Sequence, residues 1–73
     1  MINATIPAKI LIIDDEDSIR HSFADYLQDR GFLTSMAENG QLGLDILRQE
    51  RPQLVLVDLR MPKMGGLEFI REA

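Results

Sequence analysis

Two apolar runs in this chain end in acid. Ile10-Leu11-Ile12-Ile13 leads into Asp14-Asp15-Glu16-Asp17, and Leu54-Val55-Leu56-Val57 leads into Asp58. Carboxylates held a few ångströms apart in a partly dry cleft repel, so such a site either keeps a proton or recruits a cation. A hard divalent ion is the simpler answer. Mg²⁺ takes oxygen ligands, usually one or two carboxylates, keeps several waters and leaves positions for phosphate oxygens. Asp14, Asp15 and Asp58, with a backbone carbonyl just after Asp58, make such a donor set if the fold brings them together. The same ion would offset charge on a phosphoryl group in transit, which an aspartate carboxylate can accept as an acyl phosphate. The plainer reading of a lone aspartate after a strand is a turn or N-cap residue, and Asp17 is read that way. Three acids closing otherwise apolar strands are harder to dismiss, because their repulsion costs stability and such local violations mark functional sites.

Two other acid chemistries fail on spacing. A helix-loop-helix calcium loop needs glycine at its sixth position and glutamate at its twelfth, but a count from Asp14 meets Ile19 and Asp25. A strand followed by Asp-x-Asp, as in some phosphohydrolases, needs an acid where Arg60 stands.

The elements that must position these acids follow from pattern. Lys9–Ile13 is β-branched and apolar without alternation, as in a strand buried on both faces of a parallel sheet. Asp17 or Ser18 is expected to cap a helix over about residues 17–30, with Ile19, Phe23, Tyr26 and Leu27 as its apolar stripe. Gly31 suits a left-handed C-terminal cap, with Phe32 placed for the accompanying hydrophobic contact. Leu33 to Ala37, diluted by Thr34 and Ser35, reads as an edge strand. Asn39-Gly40 is turn chemistry. The helix after it places Gly43, Leu44 and Leu47 on one face, widened by Leu42 and Ile46, and closes at Pro52. Leu54–Val57 reads as a central strand, residues 61–66 as a loop, and Leu67, Phe69 and Ile70 as the opening of a third helix. This β-α-β-α-β-loop-α order predicts an α/β fold with a parallel sheet and right-handed crossovers. The carboxyl ends of such strands share one edge, where these folds bind ligands. A 2-1-3 strand order would make Asp15 and Asp58 neighbours.

Composition excludes several classes. With 73 residues there is room for one domain, and 45% apolar with 27% charged residues is ordinary globular usage. There is no cysteine, hence no disulfide and no thiolate metal site. The longest apolar run falls far short of a membrane span, and the first residues lack the features of a secretory signal, so a cytoplasmic location is expected. A net charge of −4 argues against non-specific nucleic-acid binding by this segment.

The segments Ile-Leu-Ile-Ile-Asp-Asp-Glu-Asp (10–17), Glu-Asn-Gly (38–40) and Leu-Val-Leu-Val-Asp-Leu-Arg-Met-Pro-Lys-Met-Gly-Gly-Leu-Glu (54–68), together and in order, resemble the receiver domain of bacterial two-component response regulators. The resemblance spans residues 9–73, with 1–8 as an N-terminal extension. It implies a flavodoxin-like, doubly wound parallel sheet that is incomplete, with the first three strands in order 2-1-3 and about two and a half helices. It further implies that Asp58 is the phosphoacceptor for a phosphoryl group from a sensor histidine kinase or phosphotransfer protein. Mg²⁺ would be held by the side chains of Asp15 and Asp58 and the main-chain carbonyl of Arg60, with Asp14 acting mostly through metal-bound water. In that scheme Glu16 is a solvated neighbour, while Pro62 and Gly66 shape the loop. His21 reads as a helix-surface residue, Lys63 as exposed, and Met36, Met61 and Met64 as packing or loop residues. The resemblance implies a module that promotes its own phosphorylation and dephosphorylation rather than an enzyme with a separate substrate.

The sequence departs from the family pattern in one respect. Later strands of a complete receiver carry a Ser or Thr and a Lys that contact the phosphoryl oxygens, and the chain stops before either. The reading is therefore of a fragment, or of a half-domain that self-associates through the open edge of its third strand. A downstream output domain or effector is implied but not encoded. Two other classes stand beside this one: a pseudo-receiver acting only in docking or dimerisation, and a small metal-dependent phosphatase or nucleotide-binding unit. The last is disfavoured because Asp14-Asp15-Glu16-Asp17 has none of the glycines of a phosphate-binding turn.

Overall fold

The unalternating run Lys9–Ile13 becomes the middle strand of a parallel sheet. The computed structural model describes residues 8–58 and 70–73. Within them the order is β1 (Lys9–Ile13), α1 (Asp17–Asp29), β2 (Leu33–Ala37), α2 (Gly40–Glu50) and β3 (Leu54–Val57). Residues 70–72 are helical. The expected opening of a third helix at Leu67 and Phe69, and the loop of residues 61–66, lie outside the described residues.

The strand order is β2-β1-β3, and both pairings are parallel. Ile13 stands opposite Ala37 on one side and Val57 on the other. Alternate β1 side chains feed two cores, as a strand with covered faces requires. Ile10 and Ile12 pack with Ala24 of α1, joined by Leu27, Phe32 and Leu56. Leu11 and Ile13 pack with Ala37 and Leu44, joined by Ile46, Leu47, Val55 and Val57. Leu11, Ile12 and Ile13 are at most 1% exposed, and burying each stabilises the fold by about 1.5–3 kcal/mol.

Caps set the helix limits. Asn39 closes the start of α2 by accepting the N–H of Leu42 on its side-chain oxygen at 2.9 Å. Arg51 ends α2 in a left-handed conformation with φ 50°, and Pro52 then prevents continuation. At the end of α1, Gly31 adopts φ 91°. Its N–H donates to Gln28 and that of Phe32 to Leu27, the paired pattern of a Schellman motif.

Two expectations about α1 need correction. Neither Asp17 nor Ser18 caps α1: the N-cap is Glu16, without a side-chain cap bond, and Asp17 is the first helical residue. The anticipated stripe of α1 is only partly enclosed. Ala24 is buried, Ile19 and Leu27 are half-buried, and Phe23 and Tyr26 are 47% and 55% exposed. Tyr26 instead carries the Arg30 guanidinium 4.3 Å from its ring centroid, a cation–π contact. The 2-1-3 order holds, with β1 in the middle; among the described residues β3 pairs with β1 alone, the open edge expected of it, and its Leu54 is 50% exposed. β2 is an edge strand, as its mixed composition suggests, with Leu33 and Met36 exposed. No helix among the described residues is long and apolar enough to cross a membrane.

Candidate functional site

The three acids meet because the ladder carries one step past each strand. The N–H of Asp14 donates to the carbonyl of Ala37 at 3.1 Å, and the N–H of Asp58 to the carbonyl of Ile13 at 2.9 Å. Asp14 and Asp58 therefore leave the same edge of neighbouring parallel strands. One carboxylate oxygen from each of Asp14, Asp15 and Asp58 falls in a group whose members all lie within 4.8 Å of one another. Asp14 and Asp58 are half-buried and Asp15 is exposed. A shallow cavity passes from Asp14, Glu16 and Asp58 along Ile19, Phe23 and Leu56. Asp14 and Asp58 thus sit at the mouth of a partly apolar groove, where their repulsion is less screened than in bulk water, and Asp15 approaches them from the exposed side.

The turn between β1 and α1 is held from several sides. Asp14 Oδ1 accepts the N–H of Glu16 at 2.9 Å, an Asx-turn that commits one of its oxygens. The carbonyl of Asp14 accepts Nη1 of Arg20 at 2.8 Å, and Nη2 of the same guanidinium contacts the Asp17 carboxylate. The sequence pattern does not single out Arg20. Its spacing from Asp17, one helical turn, signals an ion pair, but nothing in the sequence signals its reach to a main-chain carbonyl.

An all-oxygen, acid-rich donor set suits a hard divalent cation such as Mg²⁺ and poorly suits softer metals. Arg60, expected to add its main-chain carbonyl, lies outside the described residues, as do Pro62, Lys63 and Gly66. Glu16 is exposed beside the cluster. His21 is on the α1 surface, its Nδ1 2.9 Å from the Asp17 carbonyl oxygen.

Comparisons with known proteins agree with this architecture. A family model described as the response regulator receiver domain matches residues 10–73. Sporulation initiation phosphotransferase F of Bacillus subtilis is 43% identical over 63 residues, a match covering 86% of this chain and 51% of that protein. Regulatory protein AtoC of Escherichia coli is 39% identical over 64 residues, covering 88% of this chain and 14% of its own. Among solved structures, the chemotaxis protein CheY4 of Vibrio cholerae superposes with a TM-score of 0.89 at 34% identity, over 92% of this chain and 56% of that one. The chain thus spans about half the length of these relatives, or less. The parallel sheet in order 2-1-3 is part of the CheY-like flavodoxin fold. With a family match reaching from the first strand to the last residue, the chain belongs to the response regulator receiver domain family.

Proposed function

We propose that this receiver is the phosphoacceptor module of a two-component phosphorelay and that Asp58 takes the phosphoryl group. The observation that carries the reading is the convergence of Asp14, Asp15 and Asp58 at one sheet edge, in a chain of the receiver family. A carboxylate oxygen of Asp58 attacks phosphorus in line. The N–P bond of a donor phosphohistidine breaks as the O–P bond of the acyl phosphate forms, and its electron pair returns to the imidazole. Asp14, Asp15 and Asp58 would hold a Mg²⁺ ion, with the Arg60 carbonyl as a further ligand. When bound, the ion supplies charge neutralisation between the acids and the incoming phosphoryl oxygens. The anchoring of the Asp58 N–H to the Ile13 carbonyl supports this reading, because it keeps position 58 at the sheet edge shared with Asp14 and Asp15.

The partners on this reading are a sensor histidine kinase or phosphotransfer protein upstream and an output domain or effector downstream, in the cytoplasm. The module is not an enzyme with a separate substrate. Incubation of the full-length protein with acetyl phosphate and Mg²⁺, followed by intact-mass measurement, tests the assignment. One phosphoryl group should add to the wild type and none to Asp58→Asn; unchanged incorporation in the variant removes Asp58 from its role. A docking module that needs no phosphoryl group is the second reading, favoured by the exposed Phe23 and Tyr26 on α1. A wild type that stays unmodified and binds Mg²⁺ no better than millimolar would favour it.

A further inference from the structure

Asp15 lies between two peptide units, and each is pinned by a different side chain. On its carboxyl side, the Glu16 N–H is held by Oδ1 of Asp14 at 2.9 Å. On its amino side, the Asp14 carbonyl is held by Nη1 of Arg20 at 2.8 Å. A peptide unit is planar, so fixing that carbonyl also fixes the direction of the Asp15 N–H and the position of its Cα. The guanidinium doing this is well enclosed. Its side chain is 13% exposed, against 77% for Asp17, its second acceptor. One rigid fork therefore grips the acidic turn at both Asp14 and Asp17.

We infer that Arg20 is a positioning residue for the three-acid site, acting through the Asp14 backbone to set the direction of Asp15. The inference rests on the proposed reading of that site as one that binds a divalent cation. Mutual repulsion spreads unrestrained carboxylates, so a cation that must gather them binds more weakly than one that finds them gathered. Partners that orient metal ligands affect affinity for this reason, by about 10–100-fold when removed. Lysine cannot replace the fork, because an ammonium on a flexible stem does not hold two acceptors in fixed geometry.

Charge and geometry make opposite predictions here. If Arg20 mattered only as a positive charge near the acids, removing it would tighten cation binding, and Arg20→Lys would change nothing. As a positioning residue, its loss weakens binding whether or not the charge is kept.

The experiment is calorimetric titration of Mg²⁺ into the full-length protein, comparing wild type, Arg20→Lys, Arg20→Met and, as a control, Arg30→Lys. Both Arg20 variants should raise the Mg²⁺ Kd about tenfold, and Arg30→Lys should leave it unchanged. Amide hydrogen exchange in metal-free protein is the second measurement. In Arg20→Lys the Glu16 amide should exchange faster while the Asp58 amide, bonded to Ile13, keeps its rate; faster exchange at both would indicate general loosening and overturn the role. Wild-type affinity in Arg20→Lys, or tighter binding in Arg20→Met, also overturns it while leaving the site's reading intact. A wild type that takes up no Mg²⁺ overturns both.

Discussion

The N–H of Asp58 donates to the carbonyl of Ile13 at 2.9 Å, and that bond places position 58 beside Asp14 and Asp15. It extends the β1–β3 ladder one step beyond its last paired residues, Ile13 and Val57. The proximity of the acids is thus set by strand register, and a slip in that register would separate them. Substitutions at the acids should change chemistry and stability in separable ways.

Asp15→Asn should move metal-free and metal-bound stability in opposite senses. In EDTA, removing one of three clustered charges relieves repulsion and should raise the thermal midpoint by roughly 2 °C. With Mg²⁺ present, the wild type gains stability by mass action while the variant, its Mg²⁺ affinity reduced by about tenfold or more, gains little. Paired thermal melts with EDTA and with Mg²⁺ check both signs.

Metal removal should stop phosphoryl uptake reversibly. Excess EDTA should prevent incorporation from acetyl phosphate, and Mg²⁺ added beyond the chelator should restore it, with Ca²⁺ a poorer substitute because it favours more ligands at longer distances. Intact-mass measurement before and after each addition reads this directly.

Gly31→Ala should destabilise the fold without touching the site. A Cβ at Gly31 meets nothing within 4 Å, so the cost is not a clash. It is the left-handed backbone, φ 91°, which an L side chain disfavours by about 1–2 kcal/mol. Denaturant unfolding should show that loss, while Mg²⁺ affinity stays at the wild-type value.

Acid should reveal the cluster at the opposite end of the sheet. Glu50 Oε1 accepts Ser35 Oγ at 2.5 Å and Lys9 Nζ at 3.2 Å. The Ser35 hydroxyl first, and Lys9 second, hold the Glu50 carboxyl below its ordinary value of 4.5. A carboxyl lowered in the folded state adds stability that is present above 4.5 and lost as pH falls through the lower folded value. Ser35→Ala should therefore lose less stability than wild type between neutral pH and acid below 4.5. The difference is small, because Glu50 is 34% exposed and solvent screens it. Melts of the two proteins across that range measure it.

Much of the architecture was legible in local pattern. An unalternating apolar run can be satisfied only between two covered faces, and Lys9–Ile13 has them. Gly31 and Asn39 act at the helix ends where their chemistry suits the cap. The acids at the strand ends were visible as a conflict between apolar context and charge. Phe23 and Tyr26 mislead because periodicity reports that a face is apolar, not what covers it. Asp17 misleads because its carboxylate has a competing partner: it turns to Arg20 while Glu16 takes the N-cap position.

The sequence by itself determined the element order, the parallel sheet and the acidic identity of three strand-end positions, because turn residues, apolar runs and charge are properties of neighbours along the chain. Tertiary structure alone decided that oxygens of residues 14, 15 and 58 lie within 4.8 Å of one another. It also decided that the Arg20 guanidinium closes on the Asp14 carbonyl, and that Ser35, Glu50 and Lys9 share one contact. Those relations depend on which strand lies beside which and on how side chains cross between elements. Spacing along a chain does not encode such through-space distances until the sheet is assembled.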